Sequence, residues 1–240
     1  MKFISPSYKR ANSVKTHKLI KNLTYAVHEF EEKEYKKAGY DVLVLPDATR
    51  GNIPNVRNWI LDQKINDVII FIDDDIEAFN YWQYCKQIKL KDEQLQEHIE
   101  SMLEVALSWG VCLFGVNPAS DKGSYREYTP FSTTSYISCS FQGLINCKYR
   151  YDAKLPLKED YDLCIQICNE ERQILRFNQY SLRKKDHANL GGCADYRTKK
   201  KEEEQFKLLQ KKWGSHIVKK DNNSKGWDLN PVIKVPINGV

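Results

Sequence analysis

Five apolar residues in a row, Val68-Ile-Ile-Phe-Ile72, run directly into three aspartates, Asp73-Asp74-Asp75. A continuous β-branched run of this length reads as a strand buried on both faces, and such strands belong to sheets covered by helices. The neighbouring segments fit that demand. Phe3–Pro6 reads as a short strand. Residues 13–38 carry Leu19, Ile20, Leu23, Ala26, Val27 and Phe30 at helical spacing before Gly39, which predicts a helix. Asp41–Leu45 is a strand, and Pro54 suits the first turn of a helix bearing Val56, Trp59 and Ile60. Residues 92–109 place Leu95, Ile99, Met102, Leu103 and Ala106 on one helical stripe, and a strand follows up to 116. Strand and helix thus alternate over the first 116 residues, the mark of an α/β fold with a mainly parallel sheet.

Beyond 116 the pattern loosens. Residues 117–132 read as a polar loop, 134–147 as strand-like, 161–171 as a helix, 174–177 as a strand, 202–213 as a helix ending at Gly214, and 219–231 as a loop. No Gly-, Ser- or Pro-rich linker divides the chain, so 1–240 reads as one domain.

Composition narrows the class. Of 240 residues 41% are hydrophobic and 12% aromatic, enough for a sizeable core, which excludes a wholly disordered chain. The longest unbroken apolar run is far short of the roughly 20 residues a membrane helix needs, and the N-terminus does not read as a secretory signal. Seven cysteines, an odd number without CxxC spacing, read as buried reduced thiols of a cytoplasmic protein. The net charge of +5 is uneven: from Ser181 to Lys225 there are 13 Lys+Arg against 6 Asp+Glu, a surplus of +7, leaving −2 for the rest. That quarter is either a solvated lysine-rich face or a polyanion-binding patch.

Four groups carry candidate chemistry. Asp73 and Asp75 point to one side of an extended chain, where two like charges need a compensating cation. A hard divalent ion held by carboxylates and phosphate oxygens is the natural partner, although acidic turns are common. Arg57, early in a helix near the same sheet edge, suits an anion such as a diphosphate, or a plain salt bridge. Glu159-Asp160 opens a helix and can cap it or serve as general base. His187 lies in a polar loop before Gly191-Gly192 and is a structural or metal-binding histidine.

In this order, Ser5-Pro-Ser-Tyr8, Gly51-(x)5-Arg57-Asn58, Asp73-x-Asp75, Glu159-Asp160 and Asp186-His187, the chain resembles nucleotide-sugar-dependent glycosyltransferases of the GT-A fold over about residues 1–195. Ile4-Ser-Pro-Ser-Tyr-Lys-Arg-Ala11, Phe71-Ile-Asp-Asp-Asp75 and Lys185-Asp-His-Ala-Asn189 before Gly191-Gly192 are similar to the TET-associated glycosyltransferases of tailed phages, inferred to modify hydroxymethylated pyrimidines in DNA. The resemblance implies a GT-A-type (Rossmann-like), mainly parallel sheet flanked by helices with a smaller mixed C-terminal part. Residues 1–116 would form the nucleotide-sugar half, 117–195 the acceptor half and 196–240 a basic helix and tail.

The resemblance also implies roles. Ser5 and Arg10, with Pro6 between them and Asp47 after the second strand, would line the nucleoside pocket. Arg57 would contact the diphosphate. Asp73 would meet the ribose or a metal-bound water, and Asp75 the Mn²⁺ or Mg²⁺ ion. Asp160 matches the general base with Glu159 beside it, giving inversion, and His187 matches a late metal ligand. Three aspartates in a row leave open whether 73/75 or 74/75 is the working pair. The implied donor is a UDP-sugar and the implied acceptor DNA. In that case Lys184, Lys185, Lys199–Lys201, Lys211 and Lys212 would track phosphates, and Tyr125, Tyr128, Phe131 and Trp213 could stack on a base. A protein or polysaccharide acceptor, and a non-catalytic nucleic-acid-binding domain, are the rival readings. The second leaves Asp73–Asp75 unexplained.

Overall fold

The computed structural model describes residues 1–184, 197–221 and 229–235. The apolar run forms β4 (Val68–Ile72), buried at all five positions. Its alternate side chains serve two different layers. Ile70 and Ile72 pack with Phe3, Tyr25, Leu95, Ile99 and Met102, while Ile69 and Phe71 pack with Ile4, Val56, Ile60, Leu163 and Ile167. Both faces of the sheet are therefore covered, as the sequence demands.

Parallel to β4 lie β1 (Lys2–Pro6), then β2 (Leu23–His28), then β3 (Asp41–Leu45) at the edge. On the other side β9 (Phe141–Ile145) runs antiparallel between β4 and β7 (Leu113–Asn117). Then come β10 (Leu175–Lys184), β5 (Ile76–Gln83) and β6 (Lys86–Leu90), with the short β8 (Phe131–Ser132) also on β10. The sheet is parallel in its N-terminal half and mixed beyond β4. Helices α1 (Glu29–Lys37) and α3 (Asp92–Ser108) contribute to the first layer, and α2 (Ile53–Asp62) and α4 (Glu159–Glu171) to the second.

Local signals set several boundaries. The Asn52 side chain caps α2 by accepting the Asn55 amide at 3.2 Å, with Pro54 in the first turn. α3 buries Leu95, Ile99, Met102 and Ala106 on one stripe, and Gly110 at φ +66° ends it. α5 (Lys199–Trp213), capped by Thr198, packs Phe206 and Leu209 against Tyr161 and Ile165 of α4, with Val218 of β11 (Val218–Lys220). β11 pairs with β12 (Pro231–Ile233), so the expected loop over 219–231 is framed by two short strands.

One expectation fails, and one element is absent from the sequence reading. Residues 13–38 are not one helix: a 3-10 turn at Thr16–Lys18 leads into β2, whose six residues are all buried, and only then into α1. Parallel pairing with both β1 and β3 decides the matter, overriding a spacing that also suits a helix. The β5/β6 hairpin was not foreseen. Its turn holds Tyr84 at φ 47° and Cys85 at φ 60°, without the glycine or asparagine that would announce it.

Candidate active site

Strand order reverses between β1 and β4, and in such sheets ligands sit beyond the carboxyl ends of the strands at that point. Because β9 runs antiparallel, with Phe141 opposite Ile72, the residues just before it come to the same edge. That edge gathers Ser5–Ser7 after β1, Asp73–Asp75 after β4 and Ser138–Ser140 before β9.

The aspartate turn is clamped from behind. The Lys15 and Thr16 amides donate to the Asp74 carbonyl at 2.7 and 3.2 Å, and the Thr16 hydroxyl donates to the Asp73 carbonyl at 2.6 Å. The three side chains of this turn make different contacts. Asp74 turns inward, 3% exposed, accepting the Arg10 guanidinium at 2.9 Å and the Ser7 hydroxyl. Asp73 and Asp75 are half-buried. Asp73 is ion-paired with Lys184, and this ammonium together with Arg57 outweighs burial and holds its carboxyl below the usual range. Asp75 lies 3.9 Å from Arg10, and its Oδ1 is buried with no hydrogen-bond partner among the described residues. Burial, with Asp73 beside it, raises the Asp75 carboxyl.

The carboxylates of α4 stand close by. Glu159 accepts the Arg57 guanidinium at 2.7 Å, and both are buried. Burial, with Asp160 adding to it, pushes Glu159 up to about 7 against the pull of Arg57. The Arg57 guanidinium also lies over the Tyr151 ring at 5.5 Å, and its Nε has no partner among the described residues. Asp160 accepts the Tyr136 hydroxyl at 2.5 Å and the Cys139 amide at 3.4 Å on Oδ2, and the Tyr161 amide at 2.9 Å on Oδ1. The Tyr136 and Tyr161 rings stack at 3.8 Å, which fixes that hydroxyl.

Of the residues implied for a nucleoside pocket, Ser5 is fully buried with its hydroxyl unpartnered among the described residues, and Pro6 ends β1. Arg10 is bound to Asp74, and Asp47 is exposed in the 3-10 turn Asp47–Thr49 after β3. A cavity of about 320 Å³ opens beside Arg10 toward Asn12, Phe30 and Glu31, to one side of the aspartate turn. His187 and Lys185 lie outside the described residues, within which no cluster of three His, Cys, Asp or Glu side chains is arranged to hold a metal. A donor set of two carboxylates, one with a buried unsatisfied oxygen, nonetheless fits a hard cation that takes its remaining ligands from phosphate and water.

The sequence of the chain matches the family described as TET-Associated Glycosyltransferase over residues 1–192. The chain belongs to that family. A search of curated protein sequences returns no match. Among solved structures, this glycosyltransferase is similar to glucosyl-3-phosphoglycerate synthase from Mycobacterium tuberculosis in complex with UDP, with 11% identity, TM-score 0.52, and 96% of this chain and 87% of that one covered. A further mycobacterial protein matches with 10% identity, TM-score 0.50 and coverage of 97% and 82%. For S. aureus TarS 1–349 the figures are 15%, 0.44, 75% and 60%, so the chain spans less than two thirds of that protein segment. At these identities the likeness is one of fold, and it agrees with the GT-A-type α/β sheet expected from the sequence.

Several neighbours in this glycosyltransferase's site were not legible in the sequence. Tyr136 and Cys139 had no motif to mark them, and Ser7 lay in the Ser5–Tyr8 motif without a role of its own. Lys184 was read as a phosphate-tracking lysine, and Lys212 likewise. The first sits on Asp73, the second on Asp152 and Asp162 at 2.8 Å each. Of the aromatics expected to stack on a base, Tyr128 is 80% exposed, whereas the Trp213 indole donates to Asp162 at 2.7 Å.

Proposed function

We propose that this glycosyltransferase transfers a sugar, with inversion, from a UDP-sugar to the hydroxyl of a hydroxymethylated pyrimidine in DNA, with Mn²⁺ or Mg²⁺ as cofactor. The observation that carries the reading is the convergence of Asp73 and Asp75, Arg57 and the Glu159-Asp160 pair at one end of the sheet's switch point. The mycobacterial synthase of the same fold has been solved with Mn²⁺, UDP-glucose and glycerol 3-phosphate. On this reading 1–240 works as one domain, with 1–116 on the donor, 117–195 on the acceptor and 196–240 on the DNA backbone.

Each residue then has a task. Ser5, Pro6, Arg10 and Asp47 line the nucleoside site. Asp75 and His187 hold the divalent ion, and Asp73 faces the ribose or a metal-bound water. The ion, when bound, supplies positive charge against the diphosphate as it leaves. Arg57 adds charge on the same side while anchoring Glu159. Asp160, oriented by Tyr136 and the Cys139 amide, takes the proton of the acceptor hydroxyl. DNA and nucleotide sugars meet in the cytoplasm, where we place the reaction. No helix among the described residues is long and apolar enough to cross a membrane.

A thermal-shift titration with UDP- and GDP-sugars, with and without Mn²⁺, tests the donor. A metal-dependent rise in Tm with a UDP-sugar, followed by transfer to hydroxymethylated but not unmodified DNA, is the expected result. No shift with any nucleotide sugar would overturn the donor assignment, and transfer only to a protein or glycan would overturn the acceptor.

A further inference from the structure

The charge around the aspartate turn is nearly balanced by the protein itself. Asp74 has Arg10 and Asp73 has Lys184, so three carboxylates face two fixed cations and carry a net charge of −1. Without Lys184 the turn would carry −2, the charge that suits a divalent ion. Lys184 comes from the end of β10, 111 residues away in sequence, and its aim is built into the sheet. The register between β10 and β5 slips there: Arg183 faces Ala78 but Lys184 faces Ile76, next to Asp75. The skipped Glu77 is taken up by Lys15. A bulge of this kind re-aims a side chain, here onto the acidic turn. Although burial works against the charge, Asp73, Asp75 and Asp160 together hold the Lys184 ammonium above the ordinary lysine value. The contact is not needed to hold the fold, since both partners are about one third exposed and such pairs add little stability.

We propose that Lys184 is a resident cation of the Asp73–Asp75 pair, which a divalent ion must displace, so that the ion binds well only together with a nucleotide diphosphate. The diphosphate supplies both extra ligands for the ion and a new partner for the displaced ammonium. Binding of ion and nucleotide is thereby coupled, and by linkage each tightens the other by the same factor. This rests on the metal and nucleotide-sugar reading above. It goes beyond that reading in giving a residue taken for a DNA contact the task of making the metal site conditional.

Mn²⁺ binding is read directly, by the electron paramagnetic resonance signal of free Mn²⁺, for the full chain with and without UDP at low ionic strength. Wild type should bind Mn²⁺ weakly alone and more tightly with UDP. K184M should bind Mn²⁺ alone on the order of tenfold more tightly, the effect of removing one positive charge a few ångströms from a divalent ion. The factor by which UDP tightens Mn²⁺ should shrink in K184M and persist in K184R, and K184Q repeats the test should K184M not fold. Mn²⁺ affinity in K184M equal to or weaker than wild type, with the UDP effect intact, would overturn the role of Lys184 while leaving the metal reading standing. No Mn²⁺ binding by any form even with UDP would overturn the metal reading and this inference with it.

Discussion

The Arg57 guanidinium and the Glu159 carboxylate meet at 2.7 Å inside the protein, joining α2 to the start of α4 across 102 residues of sequence. The pair places two carboxylates, Glu159 and Asp160, at a helix N-terminus beside the aspartate turn. Burial, with Asp160 adding to it, leaves Glu159 protonated over part of the working pH range despite the pull of Arg57. Its carboxyl titrates at about 7 when folded and near 4.5 when unfolded. Between those values the folded state binds more protons, so stability falls as pH rises through the window and is level above it. Wild type should lose on the order of 3 kcal/mol relative to E159Q between pH 4.5 and 7. Urea unfolding of both proteins at several pH values checks this, and a constant difference across the window would mean that Glu159 titrates like a solvated carboxylate.

Asp160 and Glu159 are separable by function. D160N keeps an acceptor for the Tyr136 hydroxyl and should preserve the local packing, yet it removes the proton acceptor. Transfer should fall by about 10²–10⁴-fold with UDP affinity nearly unchanged. Single-turnover transfer and UDP titration on the same preparation decide it. Transfer at wild-type rate would remove Asp160 from the reaction.

The aspartate turn offers a sharper contrast. Asp74 is buried and carries both Arg10 and Ser7, so D74N should cost about 1–3 kcal/mol through the lost charge-assisted bonds. Asp75 has a buried oxygen with no partner among the described residues, so D75N should be neutral or slightly stabilising. Only D75N should lose Mn²⁺ binding while still folding fully. Melting curves and Mn²⁺ titration of the two variants, run side by side, test the assignment of 73/75 over 74/75.

What the sequence could tell about this site was set by how local the cause was. The buried strand and its acidic end belong to one segment, and so could be read from it. The same holds for α2, with Asn52 and Pro54 at its start, and for the α3 stripe. Lys184 could not be read in this way. Its contact depends on the order of strands, which brings β10 beside β5, and on a one-residue slip of register. β2 was hidden for a similar reason, since Leu23, Ala26, Val27 and Phe30 satisfy a helical period, and only the neighbours on either side make an extended chain the better solution. Asn58 follows Arg57 in the motif that carries the resemblance. Its amide clamps the Tyr151 backbone, donating to the carbonyl at 2.8 Å and accepting the amide at 2.9 Å.

A buried charge cluster joins α5 to the start of α4. Lys158, fully buried just before Glu159, donates to Glu202 at 2.6 Å, and Arg197 donates to the other oxygen of Glu202 at 2.6 Å. The two partners are not equivalent. E202L strands the Lys158 ammonium in the interior and should cost about 3–5 kcal/mol. K158M leaves Glu202 its bond to Arg197 and should cost less, and K158M/E202L should recover part of the loss. Urea unfolding of the three variants gives the order, and a K158M cost equal to or above that of E202L would mean that Arg197 does not hold Glu202.

The lysines of α5 should divide in the same way when DNA is the ligand. Lys199 and Lys200 are exposed on the first turn, whereas Lys212 is engaged by Asp152 and Asp162. Removing a phosphate contact lowers the slope of log affinity against log salt by about one. K199A and K200A should each do so, without a change in Tm. K212A should lower Tm through the loss of its two carboxylate partners and leave the slope alone. Binding to hydroxymethylated duplex DNA at several salt concentrations measures both. If none of the three variants changes the slope, the basic quarter is a solvated face and the acceptor is held elsewhere on the protein.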